Sequence, residues 1–214
     1  MRKTWLIAAL MLLGMMWSAM PALAGSSCSS AANLVSNCDF GTGDFTGWTL
    51  SGNTANPGSN YYGVDTFDAC TSCGSTYGAY MSNDLIAGTG TVNLSQTLST
   101  VVGQQYVITF WLEQDTAPTT GYTHTFAAQW GGTTILSLTP TVSSPGPVGV
   151  WTEYTFTETA SSASTILEFL FENDDSYWSF DDVSAVPLPE PSTGVLAGTA
   201  LFALLLLRRK FAVA

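Results

Sequence analysis

The sequence predicts an all-β fold, an antiparallel β-sandwich, for the main part of the chain. Two observations predict it. Short runs of alternating apolar and polar residues recur along the chain, and Gly, Pro and Asn separate them, as in half-buried strands joined by turns. No stretch of the body keeps a helical period with capping residues. A body of about 160 residues is long enough to form one domain with a hydrophobic core.

The run from Gln105 to Glu113 shows the alternation most clearly. In a strand, successive side chains point to opposite faces of the sheet. One face of this run is apolar and is the predicted core face: Tyr106, Ile108, Phe110 and Leu112. The opposite face is mixed: Val107, Thr109, Trp111 and Glu113.

About ten strands are predicted in all. In chain order, the other nine are Asn33–Ser36, Gly47–Ser51, Tyr77–Ser82, Thr91–Leu98, Thr123–Trp130, Thr133–Leu138, Trp151–Thr157, Thr165–Phe171 and Tyr177–Val186. The Gly131-Gly132 pair between two of them is a hairpin signal.

The amino terminus has the pattern of a secretory signal peptide. Arg2 and Lys3 form a basic start, an apolar run follows, and a small-residue site ends at Ala24. We therefore expect a signal helix over residues 1–24 that is removed after Ala24, with an uncleaved signal anchor as the alternative.

The charge of the body excludes nucleic acid as a partner. The chain holds 16 Asp and Glu but 5 Lys and Arg, and residues 25–188 contain no Lys or Arg. Such a surface has no cation to neutralise phosphate groups. Bound divalent cations are one way to relieve its self-repulsion.

Four cysteines remain in the exported part, which predicts two disulfides. Three pairings satisfy the count, and the local one joins Cys28 to Cys38 and Cys70 to Cys73. A redox or zinc site at the Cys70–Cys73 motif is the alternative. The flanking residues are typical of a loop and not of a helix start, and His124 is the sole histidine, so we favour a structural disulfide.

The carboxyl terminus combines three features. Pro189, Glu190 and Pro191 come first, then an apolar run of about 15 residues, which spans about 22 Å as a helix. The basic cluster Arg208, Arg209 and Lys210 ends the run. The apolar run predicts a transmembrane helix, and the basic cluster predicts that the end of this helix stays on the cytoplasmic side.

Two stretches together, NLVSNCDFGTGDFTGW and FDDVSAVPLPEPSTGVLAGTALFALLLLRRK, resemble the PEP-CTERM exported proteins of bacteria. The resemblance implies a jelly-roll body, similar to galactose-binding-like domains and carbohydrate-binding modules, over residues 25–186. It implies a Pro-rich linker with the Pro-Glu-Pro motif at 187–192 and a sorting tail at 193–214. It also implies that an exosortase-type enzyme cuts the tail, so that the protein passes through the inner membrane and is delivered to the cell surface or outside the cell. A permanent anchor is the alternative.

The same resemblance points to two kinds of site. Related jelly rolls hold a structural calcium ion, and Asp39, Asp44, Asp181 and Asp182 are the candidate ligands, with solvated acids at strand ends as the alternative. Gly41 stands where the family pattern has Glu, which weakens the calcium prediction. Aromatic rings beside polar groups are typical of sugar-binding faces, and the candidate carbohydrate-binding residues are Trp111, Glu113, Tyr61 and Tyr62. Trp130 and Trp178 are further sugar-binding candidates, but we expect both to pack in the core, as we expect of Trp48.

We therefore expect a non-catalytic surface or extracellular-matrix protein that binds exopolysaccharide or a cell-surface glycan. No Ser nucleophile motif, phosphate-binding loop or HExxH motif is present in the sequence. The alternatives are a structural biofilm component without a discrete ligand site and a polysaccharide-acting enzyme.

Overall fold

The computed structural model describes Cys28 and residues 30–54, 61–83 and 90–189. All regular secondary structure in these residues is β-strand, which confirms the all-β prediction. The strands are β1 (Thr49–Gly52), β2 (Tyr62–Asp65), β3 (Gly78–Met81), β4 (Val92–Ser99), β5 (Gln105–Gln114), β6 (His124–Trp130), β7 (Thr133–Leu138), β8 (Thr152–Thr159), β9 (Ser164–Asn173) and β10 (Trp178–Pro187).

The strands form two five-stranded antiparallel sheets. The first sheet has the order β1-β4-β9-β6-β7, and the second has the order β2-β3-β10-β5-β8. Neighbours in both sheets are mostly distant in sequence: β4 pairs with β9, and β5 lies between β10 and β8. Such long connections between two packed sheets are those of a sandwich, as the sequence predicts.

Phenylalanine rings fill the space between the sheets. Phe169 of β9 and Phe180 of β10 come from opposite sheets, and their ring centroids are 4.6 Å apart. Phe110 of β5 packs edge-on against Phe169 at 5.1 Å. The predicted core face of β5 is confirmed, because Tyr106, Ile108, Phe110 and Leu112 are all buried.

The predicted strand at Asn33–Ser36 is wrong. The Leu34 N–H donates to the Ala185 carbonyl, but the Asn33 side chain makes the neighbouring bonds: its Oδ1 accepts from Ala185 N, and its Nδ2 donates to the Val183 carbonyl. The segment therefore lies along β10 without forming a backbone ladder.

Strand β2 was not predicted. It has four residues and contains Gly63, and such a short segment carries no clear alternation. It pairs with β3, which lies within the predicted range Tyr77–Ser82. The middle of β10 also differs from a regular strand, since the register shifts between Asp181 and Ser184, and Asp182 has a positive φ of 56°.

Both local disulfides are present in the structure. Cys28 is bonded to Cys38, and Cys70 is bonded to Cys73. Such bonds persist in oxidising compartments, which suits an extracellular environment. The second disulfide closes a tight loop that lies on the outward face of the second sheet.

Candidate functional site

The second sheet turns one face to the core and the other outward. On β5, Trp111 and Glu113 alternate with the buried Leu112 and therefore point outward. Ser179 of β10 pairs with Glu113 on one side and with Tyr80 of β3 on the other. We call these outward residues and their surroundings the aromatic–acid face, which comprises Tyr61, Asp65, Asp68, Tyr80, Trp111, Glu113, Asp115, Tyr177 and Ser179.

Two tyrosines form the aromatic part of the face. Tyr80 and Tyr177 meet edge to face, with ring centroids 5.6 Å apart. Burial and nearby acidic groups raise the pKa of both phenols, so both stay protonated. Tyr80 leans over Gly63 of β2, where a Cβ would collide with the phenol. Each ring is half-buried and does not pack in the core.

Trp111 lies in the next row of the face. Its neighbours in the sheet are Asp181 of β10 and Glu153 of β8. The indole Nε1 is buried and meets no acceptor among the described residues. A half-buried tryptophan between two acidic positions presents both an apolar surface and polar neighbours.

The acidic part of the face is crowded. Ser179 Oγ donates to Asp68 Oδ1 at 2.6 Å, yet burial, with Asp65 and Asp115 nearby, raises the pKa of Asp68 to about 6. Burial and the charges of Asp115 and Asp68 also raise the pKa of Glu113. The body contains no Lys or Arg to offset these charges.

A loop after β2 crosses the outward side of β3 and reaches the central strand β10, where Ser179 and Asp181 are buried. It crosses β3 closely enough that a Cβ on Gly78 would collide with the Asp68 backbone. The Cys70 N–H donates to Asp181 Oδ2 at 2.9 Å, and the loop is closed there by its disulfide. Phe67 of this loop is 87% exposed.

Asp181 is the most strongly perturbed carboxyl of the second sheet. It is fully buried and accepts N–H bonds from Cys70 and Asp182. Burial nevertheless outweighs these bonds, and the pKa of Asp181 is raised to about 7. This carboxyl therefore holds the disulfide loop against β10.

The structure brings together most of the predicted sugar-binding residues. Trp111 and Glu113 share the face, and Tyr61 lies near Tyr177. Tyr62 does not join them, because it points to the other side of β2, packs against the core, and donates its hydroxyl to the Thr54 carbonyl. The three other tryptophans expected in the core are buried, as predicted: Trp48, Trp130 and Trp178.

Sequence reasoning missed Tyr80, Tyr177, Asp68 and Phe67. The two tyrosines lie in predicted strands, and alternation alone would have placed them outward. No sequence signal marks Asp68 or Phe67, because the path of a loop over a sheet is set by tertiary contacts.

The four predicted calcium ligands are not gathered into one set of carboxylates. Asp44 is exposed, accepts bonds from Thr42 and Thr46, and these lower its pKa. Asp181 is bound to Cys70 as described, while Asp182 lies at the bulge of β10.

Asp39 lies near the first disulfide. It forms the one group of three potential metal-binding side chains in the described part of the chain, with Cys28 and Cys38, whose sulfurs are bonded to each other and offer no thiolate. Calcium binding stays a prediction.

The predicted ends of the chain lie mostly outside the described residues. The signal peptide, Glu190, Pro191 and the basic cluster Arg208, Arg209 and Lys210 all belong to that part. Pro189 is described and exposed. Within the described ranges, no helix has the length and apolar character needed to cross a membrane.

Comparison with solved structures shows the class of fold. The chain is similar to the carbohydrate-binding module TmCBM61, solved in complex with β-1,4-galactotriose, with a TM-score of 0.50, 16% identity, and coverage of 73% of this chain and 99% of that one. It is also similar to the CBM22-1–GH10 modules of Clostridium thermocellum xylanase 10B, solved with xylohexaose (TM-score 0.51, 16% identity, 74% of this chain and 29% of that one). A cyclase from Fischerella sp. shares the fold as well (TM-score 0.52, 16% identity, 75% and 98%).

At these identities the likeness concerns the fold alone, a jelly-roll sandwich that binding modules and enzymes share. No protein-family model matches the sequence, and no curated protein matches it.

Proposed function

We propose that the protein is an exported, non-catalytic surface or matrix protein that binds polysaccharide on the aromatic–acid face. The observation that carries the proposal is the combination of outward rings and carboxylates on one sheet face, bounded by the disulfide loop. Aromatic rings cover the apolar faces of sugar rings, and a few fixed polar groups orient the hydroxyls.

Similarity to carbohydrate-binding modules supports the proposal. Two of the similar structures were solved with an oligosaccharide, and the likeness covers 99% of the first chain and 29% of the second. Trp111 and Glu113 also share the outward face of β5, which places a ring beside a carboxyl.

The test compares binding of a panel of polysaccharides to the purified protein and to Trp111→Ala. Removing the indole is expected to weaken binding at least tenfold, equivalent to about 1.4 kcal/mol. Ile166→Ala is the matched control, because Ile166 is an exposed apolar residue of β9 in the other sheet. Absence of binding to every glycan would favour a structural matrix component without a ligand site.

A second candidate function is acid catalysis on a polysaccharide. It is favoured by the raised pKa of Asp68, because a carboxyl that holds its proton near pH 6 can donate it to a leaving group. Release of new reducing ends from a bound polysaccharide, lost in Asp68→Asn, would establish this function in place of simple binding.

Delivery to the surface rests on the sorting tail. We propose that an exosortase-type enzyme recognises Pro189, Glu190 and Pro191 and releases the body from its membrane helix. Intact mass of the protein from its native host tests this: a chain ending near residue 190 supports sorting, whereas a chain reaching Ala214 indicates a permanent anchor.

A further inference from the structure

We propose that the glycan held by the aromatic–acid face is an amino-sugar polymer with free, protonated amines, and that acidic polysaccharides are excluded. The proposal deepens the glycan-binding function above and rests on it. It follows from the charge of the face together with its aromatic rings.

The charge of the face is negative and has no internal counter-charge. Asp68 interacts unfavourably with Asp65 and Asp115, and Glu113 does so with Asp115 and Asp68. Residues 25–188 contain no Lys or Arg. The single histidine, His124, is buried, with its Nε2 3.1 Å from Asp175 Oδ1. No side-chain cation of the body offsets this repulsion, so a bound cation would reduce it once the carboxyls are ionised.

The rings of the same face also favour a cation. An ammonium group near the face of Trp or Tyr is attracted by the negative potential of the ring. Trp111 lies one row from Glu113, and Tyr80 is the cross-strand neighbour of Ser179, which holds Asp68. Carboxylates and π-faces thus lie within the span of one or two sugar units.

Hydrogen-bonding capacity agrees with this assignment. An ammonium group donates three hydrogen bonds and accepts none, and an ionised carboxylate only accepts. Ser179 and Ser176 each donate to one carboxylate of the face, Asp68 and Asp115 respectively, and so fix its orientation. Charge-assisted bonds from a sugar amine to such oriented carboxylates are stronger than bonds from a sugar hydroxyl.

Acidic glycans would be repelled by the carboxylates of the aromatic–acid face. Every uronate carboxylate or sulfate would approach several carboxylates without an intervening cation, which costs binding energy and slows association. Neutral glycans gain the stacking but not the charge-assisted bonds. The expected order of affinity is therefore free amine first, then neutral sugar, then uronate.

The experiment measures binding of four probes to the full-length protein by calorimetry at pH 6: β-1,4-linked glucosamine hexamer, its fully N-acetylated counterpart, β-1,4-galactan and polygalacturonate. We expect the glucosamine hexamer to bind at least tenfold more tightly than the acetylated hexamer, and polygalacturonate not to bind. Added salt should weaken the binding of the glucosamine hexamer more than that of the other probes.

Two double variants separate a site from general attraction to an acidic protein. Asp68→Asn with Glu113→Gln should abolish the preference for the free amine. Glu168→Gln with Glu172→Gln removes the same charge from β9 of the other sheet and should leave the preference intact.

An equal loss of the preference for the free amine in both double variants would overturn the proposal, because binding would then follow net charge alone. Equal or tighter binding of galactan or the acetylated hexamer would also overturn it, while leaving the glycan-binding function in place. Failure of all four probes to bind would count against both.

Discussion

The buried carboxyl of Asp181 makes the stability of this protein depend on pH in a direction opposite to that of most acidic groups. Its pKa is raised from 3.8 to about 7 in the folded protein, chiefly by burial. The folded state therefore holds a proton more tightly than the unfolded chain. The stability linked to that proton is complete below pH 3.8 and is lost as the pH rises through about 7.

The size of the effect follows from the two pKa values. Each pH unit over which only the folded state is protonated changes the free energy of unfolding by about 1.4 kcal/mol. From pH 5 to pH 8 the protein should lose up to about 3 kcal/mol of stability, or roughly 6 to 12 °C in melting temperature for a domain of this size. Asp68, with a pKa raised to about 6 and a more exposed carboxyl, acts in the same direction.

The assay is thermal unfolding of the purified protein and of Asp181→Asn at pH 5 and pH 8. The amide keeps one acceptor oxygen for the Cys70 N–H and cannot ionise, so the variant should lose most of the pH dependence and should gain stability relative to the wild type as the pH rises from 5 to 8. Asp39→Asn is the control for loss of one negative charge, because an Asn there keeps an acceptor for the Gly41 N–H. A wild-type melting temperature that stays level or rises from pH 5 to pH 8 would show that Asp181 does not hold a proton in the fold, as would a full pH dependence in Asp181→Asn.

Three further substitutions test the packing of the face and the core. Gly63→Ala should push the Tyr80 phenol aside and so weaken glycan binding severalfold. The free energy of unfolding should change by no more than about 1 kcal/mol, since only the flexible end of a side chain must move. Unaltered affinity would mean that Tyr80 does not contact the ligand. Gly78→Ala should cost about 1 to 3 kcal/mol in urea unfolding, because its Cβ meets the Asp68 backbone, and a neutral result would show that the loop does not cross β3 as described. Phe110→Ala should destabilise the fold by about 3 to 5 kcal/mol in the same assay, since the ring is buried among five others; a loss below 1 kcal/mol would contradict its central place.

Strong alternation made most of the fold predictable from the sequence. In β5 the apolar face from Tyr106 to Leu112 is buried as expected, and β7 has the predicted bounds, Thr133–Leu138. The prediction failed where side chains replace backbone pairing, as Asn33 does beside β10, and where a strand is too short to show a period, as in β2.

The candidate site was predictable only in its strand positions. Trp111 and Glu113 follow from the period of β5, whereas the one-residue difference between Tyr61 and Tyr62 depends on the register of the unpredicted β2. Asp68 and the disulfide loop reach the face through contacts with Ser179 and Asp181, more than 100 residues further along the chain. Such contacts leave no local sequence pattern.

Nuclear magnetic resonance of the isotope-labelled protein, titrated with an oligosaccharide that it binds, tests most directly whether a glycan occupies the aromatic–acid face. The largest amide shifts are expected at Tyr80, Glu113 and Ser179, with little change at Ile166 and Glu168 in the other sheet. Shifts concentrated on the first sheet, or none at saturating ligand, would contradict this expectation.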